Sequence, residues 1–257
     1  DVARKSDVVV AVMGINKSIE REGQDRYDIQ LPEDQREFLQ ELYKVNPNIV
    51  LVLVAGSNLA LNWEDANLPA IVDAWYGGES GGQAVAEVLF GDYNPGGRLP
   101  LTFYRGLEDL PAFDDYDITK GRTYKYFTGD VVYPFGYGLS YSKFKYSDLK
   151  VKDAGDDVVV SFDVKNTGRY DGDEVAQVYM CMPEYGSPVV PIKELKGFKR
   201  VSVPRGKTEH VEIAVPKSSL RYWDDKAEGF VTTPSGDYNI MVGSSSADIR
   251  LRSTIKL

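Results

Sequence analysis

The chain has few of the residues on which several common kinds of site depend. Its 257 residues include one cysteine, Cys181, and one histidine, His210. A single cysteine excludes an intrachain disulfide framework and a cysteine-based zinc cluster. A single histidine argues against imidazole-rich metal sites and against Ser-His-Asp catalysis. Carboxyl groups are the plentiful acids and bases that remain, because 39 residues are Asp or Glu.

Long apolar runs are also missing. No stretch approaches the ~18 consecutive apolar residues of a transmembrane helix, which excludes such a helix, and no signal-peptide core follows Asp1, so we expect any targeting segment to lie outside these residues. The net charge is −9, and almost all of it falls within residues 1–147. Because an acidic surface repels phosphate backbones and anionic lipid head groups, we expect neither nucleic acid nor a membrane as a partner. Solubility alone also explains the acidity.

The first half of the chain alternates apolar strands with helical patterns. Residues 7–13 and 49–55 are continuous apolar runs, which are typical of strands covered on both faces. Between them, a helix is predicted to begin after Pro32, with Phe38, Leu39 and Leu42 on one face. Further along the chain, the pattern predicts a third strand at residues 70–75 and a helix at residues 83–90. This order predicts an α/β fold with a mainly parallel sheet.

The second half has the two-residue period of antiparallel strands. Short strands are predicted at residues 158–164, 174–180, 196–203, 210–215 and 236–242. Such strands at regular spacing, separated by turn signals, predict an all-β sandwich. We therefore expect an α/β domain at residues 1–142, which includes a long acidic loop and a tyrosine-rich linker, and a β-sandwich at residues 143–257.

One charged loop follows the first predicted strand. It carries Glu20, Glu22 and Asp25 among Arg21 and Arg26. In open α/β sheets, ligands bind at the carboxyl ends of the strands, so this loop is well placed for a site. Crowded carboxyl groups beside arginines suit acid and base chemistry. On these residues alone, however, a solvated surface loop is the better interpretation.

Other segments admit both a binding and a structural interpretation. The glycine-rich turn at residues 77–82 has the backbone N–H groups of a phosphate cradle, but it lacks the ending of a P-loop and the spacing of a dinucleotide fingerprint. A tight turn before a helix explains it better, and nucleotide binding is a minor alternative. Tyr76, Trp63 and Tyr116 could stack on a sugar ring, although most such aromatic residues belong to a core. His210 has no nearby partner for a metal site and is expected to be structural.

Taken in order, several motifs of the chain resemble the C-terminal part of a family 3 glycoside hydrolase. The motifs lie at residues 22–26 (EGQDR), 75–82, 89–100, 133–141, 166–168, 171–175 and 195–198. The match runs the length of the chain. The resemblance implies a partial three-layer α/β sandwich, incomplete at its start, followed by a fibronectin type III-like β-sandwich. The sandwich is expected to brace the other domains.

The resemblance also implies a reaction. Enzymes of this family are retaining exo-glycosidases, which use one carboxyl group as nucleophile and a second as acid/base. The α/β domain supplies the acid/base, and the matching residue here is Glu22, with Glu20 as its rival. Arg26, Asp25 and Tyr76 are the candidates for substrate contact, although Asp25 and Arg26 are more readily explained as residues that hold the loop in place. No metal or organic cofactor is implied.

The chain departs from the family pattern at the nucleophile. The family's nucleophile is an aspartate of an N-terminal (β/α)8 barrel, in a Ser-Asp-Trp type of motif that nothing here matches. We therefore expect a fragment, with the barrel as its partner, that hydrolyses nothing alone. Residues 18–22 resemble the β-xylosidase branch, which favours terminal β-D-xylosyl over β-D-glucosyl residues of plant oligosaccharides as the substrate.

Two further expectations follow from the resemblance and from its gap. Breakdown of plant oligosaccharides fits a secreted or periplasmic enzyme. Loss of the nucleophile fits an alternative, a non-catalytic carbohydrate-binding or interaction protein on the same scaffold. The two functions differ in what replacement of Glu22 does to turnover in a protein that contains the barrel.

Overall fold

The apolar runs near the start of the chain form neighbouring strands of a parallel sheet. In the computed structural model, β1 (Val9–Gly14) pairs with β2 (Ile49–Val54), and β2 pairs with β3 (Ala70–Asp73). The strand order is β1–β2–β3, and all pairs are parallel. The predicted mainly parallel α/β sheet is confirmed. Parallel strands end at the same edge, so the loops after β1, β2 and β3 lie together at that edge.

The structure describes residues 1–183, 190–224, 226–232 and 235–257, and these form two units. The first unit comprises Asp1–Tyr93, Phe103–Leu110 and Gly129–Tyr133. The second comprises Asn94–Thr102, Pro111–Thr128 and Pro134–Leu257. The domain boundary proposed at residue 142 divides the chain by sequence motifs rather than by contacts, and it stays a prediction.

Helices flank and connect the strands of the first unit. Helix α1 (Val2–Lys5) precedes β1, α2 (Glu33–Val45) connects β1 with β2, α3 (Asn62–Asn67) connects β2 with β3, and α4 (Gly81–Phe90) follows β3, with a 3-10 turn at Leu107–Asp109. Helix α2 begins directly after Pro32, has Glu33 and Asp34 in its first turn, and ends at Asn46. Proline and acidic residues favour a helix start, since proline lacks an N–H and carboxylates interact well with the free N–H groups there.

Two details of the predicted packing in the first unit are wrong. The strand at residues 7–13 was expected to be covered on both faces, but only Ala11 and Met13 are buried, while Val10 and Val12 are 50% and 65% exposed. No element of the described residues covers the second face of β1. Similarly, Leu39 on α2 is fully buried, whereas Phe38 on the same predicted face is 58% exposed. Strand β2 does have buried residues on both faces.

The second unit is built on two antiparallel sheets. Its strands are β4 (Phe144–Asp153), β5 (Asp157–Asn166), β6 (Gly172–Cys181), β7 (Glu194–Val203), β8 (Thr208–Pro216), β9 (Arg221–Asp224), β10 (Gly229–Thr232), β11 (Asp237–Gly243) and β12 (Ile249–Lys256). One sheet has the order β4–β5–β8, the other has the order β12–β11–β6–β7, and β9 and β10 form a hairpin. Their inward-facing residues, such as Val160, Phe162 and Ile240, form one buried cluster. The predicted β-sandwich is confirmed.

Segments that precede the sandwich pack against it within the second unit. Both carboxylate oxygens of Glu174 lie 3.3 Å from Nη2 of Arg98, and the Tyr146 hydroxyl donates to Glu174 Oε1 at 3.0 Å. In addition, Tyr124, in the short helix α5 (Thr123–Tyr126), stacks on Phe135 with 4.3 Å between ring centroids. Two further 3-10 turns span Ile118–Lys120 and Lys217–Ser219. These contacts agree with the predicted tyrosine-rich linker, which packs against neighbouring residues through its aromatic side chains.

Within the part of the chain that the structure describes, no helix is both long and apolar enough to cross a membrane.

Candidate active site

The loop after β1, residues 15–32, will be called the Glu22 loop. Its first turn is held by Asn16, whose side-chain oxygen accepts hydrogen bonds from the Ser18 N–H at 2.8 Å and the Ser18 hydroxyl at 2.6 Å. Asparagine favours such turns because its short side chain can bond to the backbone two residues further on. The loop therefore folds back on itself as soon as it leaves the sheet.

A tight turn presents Glu22. Arg21 and Gln24 exchange both of their backbone hydrogen bonds, at 3.2 and 2.9 Å, so that Glu22 and Gly23 form the tip between them. Gly23 has φ of +74°, a conformation that glycine adopts without strain. Glu22 is exposed, and within the described residues its carboxylate has no hydrogen-bond or ion-pair partner. The Glu-Gly pair of the sequence thus places a free carboxyl group at the tip of the loop.

Glu20 has the opposite environment. Its Oε2 lies 2.6 Å from Nε of Arg26 and accepts a hydrogen bond from the Ser57 hydroxyl at 2.7 Å. Nη2 of Arg26 also donates to the Ser57 hydroxyl at 2.9 Å and to the Asn58 carbonyl at 3.1 Å. The two side chains of the ion pair are mostly buried, with 27% of Glu20 and 11% of Arg26 exposed. Glu20 is therefore tied to the base of the loop and to the end of β2.

The loop after β3 contributes Tyr76 to the same edge of the sheet. The Tyr76 hydroxyl donates to the Ile15 carbonyl at 2.9 Å, at the start of the Glu22 loop, and its ring is 56% exposed. Before it, Trp75 has φ of +50°, which is unusual for a residue other than glycine. The Asp73 carboxylate accepts a hydrogen bond from the Trp75 N–H at 3.3 Å, and burial raises the pKa of Asp73 to about 6. The turn from β3 into this loop is therefore a strained one.

The glycine-rich turn that follows has a structural explanation. The Gly81 N–H donates to the Gly78 carbonyl at 3.2 Å, which closes the turn before α4. A Cβ atom at Gly77 would lie 2.8 Å from Cα of Gly81, so only glycine fits there. This close approach of two backbone segments supports the interpretation of the segment as a tight structural turn.

The other candidate residues lie in varied surroundings. Asp25 is exposed and, among the described residues, its carboxylate has no partner. Trp63 is half-buried and meets Tyr43 edge-on at 5.5 Å, which makes it part of the core. Tyr116 is 87% exposed and belongs to the second unit. His210 lies 2.7 Å from the Asp163 carboxylate on the neighbouring strand, as a structural histidine would. The structure thus joins Glu20 with Arg26 and joins Tyr76 to the start of the same loop, while Glu22 stands at the tip of that loop.

Ser57 and Asp73 were missed in the sequence. Each stands at or just after the end of a parallel strand, and that position was the available signal. Serine is too common in loops for its hydroxyl to be assigned a partner from sequence alone. Likewise, an Asp at the end of a β-branched strand gives no indication of how deeply it is buried.

Comparison with known proteins identifies both halves of the chain. Residues 1–141 match the glycosyl hydrolase family 3 C-terminal domain, and residues 174–246 match the fibronectin type III-like domain. Within the described residues, no group of three His, Cys, Asp or Glu side chains is arranged to hold a metal ion. Both family matches agree with the motifs noted in the sequence.

Relatives and solved structures agree with these matches. The chain is 44% identical over 232 residues to a xylan 1,4-β-xylosidase of Xylanibacter ruminicola, which covers 90% of this chain and 26% of that protein. It is 34% identical to a periplasmic β-glucosidase of Salmonella typhimurium, which covers 96% of this chain and 34% of that protein. The crystal structure of a β-glucosidase from Kluyveromyces marxianus in complex with glucose superposes with a TM-score of 0.91 at 37% identity, which covers 100% of this chain and 32% of that one.

The chain therefore spans about a quarter to a third of the length of these proteins. The part of those proteins that the chain spans corresponds to the two matched domains, an α/β domain followed by a fibronectin type III-like sandwich. Sequence motifs, fold and relatives agree that the chain belongs to glycoside hydrolase family 3 and corresponds to the C-terminal part of that family's enzymes.

Proposed function

We propose that this chain is the C-terminal part of a retaining, exo-acting β-glycosidase and that Glu22 is the acid/base of that enzyme. The observation that carries the proposal is the contrast between two glutamates on one loop. Glu22 stands free at the tip of a tight turn, whereas Glu20 is held by Arg26 and Ser57. An acid/base must reach the glycosidic oxygen and exchange protons with it, and a free carboxyl group at the tip of a loop is better placed to do so than one held in an ion pair.

The reaction has two steps. Glu22 first protonates the departing glycosidic oxygen while an aspartate nucleophile attacks the sugar from the opposite face. It then takes a proton from the water that releases the sugar from the covalent intermediate. The nucleophile belongs to an N-terminal barrel that is the partner of this chain, and in retaining enzymes the two carboxyl groups stand about 5–5.5 Å apart. Since these residues hold no matching nucleophile, the chain alone is expected to be inactive.

The substrate class is the terminal β-D-xylosyl residue of plant-derived oligosaccharides, with β-D-glucosyl as the second choice. The xylan 1,4-β-xylosidase relative, at 44% identity, supports xylosides, while the β-glucosidase relatives keep glucosides open. Arg26 is assigned to the loop rather than to the sugar, because its Nε and Nη2 are used within the protein and its Nη1 is buried. Tyr76 has an exposed ring that could contact a sugar. A secreted or periplasmic location suits this substrate.

The test replaces Glu22 in the enzyme that contains the barrel. Aryl β-xylosides that carry leaving groups of high and low acidity are compared for Glu22→Gln and Glu20→Gln. We expect kcat/KM of Glu22→Gln to fall by about 100-fold or more for the poor leaving group and far less for the good one, because only the poor one needs a proton. The same pattern in Glu20→Gln, and not in Glu22→Gln, would reassign the acid/base to Glu20. Unchanged turnover in both variants would show that neither glutamate is the acid/base, whereas absence of turnover in the unaltered, folded protein that contains the barrel would support the non-catalytic alternative.

A further inference from the structure

We propose that Ser57 is a positioning residue for Glu22, acting through the Glu20–Arg26 pair. This inference rests on the proposed function, because it assigns a role relative to that acid/base. Ser57 does not touch the reacting atoms in this arrangement. Its hydroxyl connects the Glu22 loop to the loop after β2, and the position of Glu22 depends on that connection.

The contacts form a closed triangle. The Ser57 hydroxyl donates to Glu20 Oε2 at 2.7 Å and accepts from Arg26 Nη2 at 2.9 Å, while Arg26 Nε lies 2.6 Å from the same carboxylate oxygen. A hydroxyl group has one proton to donate, and that proton is used on Glu20. Hydrogen bonds to charged groups are the stronger kind, and here both partners of the hydroxyl are charged.

The triangle spans both ends of the turn that carries Glu22. Glu20 lies just before the Arg21–Gln24 hydrogen bonds and Arg26 lies just after them. The ion pair alone would join the two ends of the turn to each other, but it would leave them free to move together. The Ser57 hydroxyl and the Asn58 carbonyl are the groups that attach this pair to the end of β2.

The segment after β2 is itself held in place. The ring of Tyr76 lies against Gly56, directly before Ser57, and the Tyr76 hydroxyl bonds to Ile15 at the start of the Glu22 loop. The loops after all three strands are thus linked at one edge of the sheet. The Ser57 hydroxyl, which contacts both members of the pair, and the Asn58 carbonyl, which contacts Arg26, connect this fixed edge to the pair beside Glu22.

The consequence for catalysis is specific. A shift of about 1 Å in a catalytic group can reduce the rate about 100-fold, because proton transfer requires a defined geometry. Loss of the Ser57 hydroxyl is therefore expected to act on the protonation step. In the enzyme that contains the barrel, Ser57→Ala should lower kcat/KM about 10- to 100-fold for an aryl xyloside with a poor leaving group. It should leave kcat/KM nearly unchanged for the substrate with a good leaving group, because kcat/KM reports cleavage of the glycosidic bond and a good leaving group needs no proton.

Two variants control for a merely structural effect. Ser57→Thr keeps a hydroxyl on the same carbon and should restore most of the lost kcat/KM. Ser6→Ala removes a hydroxyl at the opposite end of the sheet, before β1, where it bonds to the Val2 carbonyl, and should leave kcat/KM unchanged. Equal loss for both leaving groups, or no recovery in Ser57→Thr, would overturn the proposal.

A second measurement on this chain alone is independent of the proposed function. Amide hydrogen exchange of peptides that cover residues 15–32 should be faster in Ser57→Ala than in the unaltered chain and should return in Ser57→Thr, while the sandwich peptides stay unchanged. Unaltered exchange in the loop would refute the positioning role. If exchange responds but Glu22→Gln shows no dependence on the leaving group, the proposed acid/base is wrong and the anchoring of the loop stands.

Discussion

The two units of the chain bury the same types of residue to different degrees. On β5 in the second unit, Val160 and Phe162 are fully buried, because two sheets face each other across a shared core. On β1 in the first unit, Val12 is 65% exposed and Val10 is 50% exposed, although their neighbours Ala11 and Met13 are buried. The sandwich closes its own core, whereas the described elements of the first unit cover one face of β1. Sequence alone gives valine in a strand the same expectation in both places.

This difference bears on how the candidate site is held. The Glu22 loop leaves the sheet at β1, the strand with the less complete covering. Its two ends lie in the core of the first unit, where Ile15 and Leu31 are buried and Ile19 packs against the same cluster. Between these points the described contacts are polar, since Ser57 and Arg26 hold Glu20. The turn that carries Glu22 is therefore sensitive to single polar substitutions. The contrast between the units can be tested by matched substitutions, which follow in order of expected effect.

The largest difference in stability is expected when one phenylalanine in each unit is replaced by alanine. Phe162→Ala should reduce the free energy of unfolding of the second unit by about 3–5 kcal/mol, because it removes a fully buried ring that stacks on Tyr146 at 5.7 Å. Phe38→Ala on α2 should change the stability of the first unit by less than about 1 kcal/mol, since that ring is 58% exposed. Hydrogen exchange of the slowest amides in each unit measures the two changes separately. A large loss from Phe38→Ala would show that its ring is covered in solution.

A smaller effect depends on pH and belongs to the first unit. Burial raises the pKa of Asp73 to about 6 from 3.8, so the folded state holds its proton more tightly than the unfolded state. Well below pH 3.8 both states are protonated and burial carries no charge penalty. As the pH rises through 6 the folded state must accommodate the anion, and the stability of the first unit should decrease.

Asp73→Asn removes that charge and tests the sign. We expect the variant to gain about 1 kcal/mol over the unaltered chain at pH 7 and almost nothing at pH 4. This value is reduced from the full shift because the side chain is only partly buried. Amide exchange, corrected for its own pH dependence, or urea unfolding at pH 4, 5.5 and 7 measures it, with the exposed Asp92→Asn as the control for the change of residue type. A gain in stability that is largest at pH 4 would contradict a raised pKa of Asp73 in the folded state.

Parts of this structure were readable in the sequence because they depend on local pattern. The apolar runs predicted β1 and β2, Pro32 with its acidic neighbours predicted the start of α2, and alternation predicted β5, β6, β7, β8 and β11. Strands β4 and β12 were missed, since lysines and arginines alternate with their apolar residues and make them look like polar surface. One face of each strand is buried only because the two sheets pack against each other, and this packing is not evident from the local sequence.

The site was predicted in part for the same reason. The sequence pointed to Glu20, Glu22 and Arg26 because they share one loop and one family motif. It could not reveal that Ser57, more than thirty residues from Glu20 along the chain, donates a hydrogen bond to Glu20. That contact depends on β1 and β2 being parallel neighbours in one sheet, which is a property of the fold and not of either segment.

The smallest effect concerns the exposed face of β1. Val12→Thr keeps the shape of the side chain and the strand preference of the residue, and it adds one hydroxyl group. Because Val12 is 65% exposed, this hydroxyl can bond to water, and we expect less than about 0.5 kcal/mol of change in the stability of the first unit. Hydrogen exchange of the β1 and β2 amides in this chain measures the change.

The matched substitution lies in the sandwich. Val160→Thr places the same hydroxyl in a fully buried position and should destabilise the second unit by about 1–3 kcal/mol, since a buried hydroxyl without a partner loses its bonds to water. If Val12→Thr is as costly as Val160→Thr, the β1 face is covered in solution. Repeating the measurement at several protein concentrations then decides whether a second copy of the chain covers it, because only that contact would weaken on dilution.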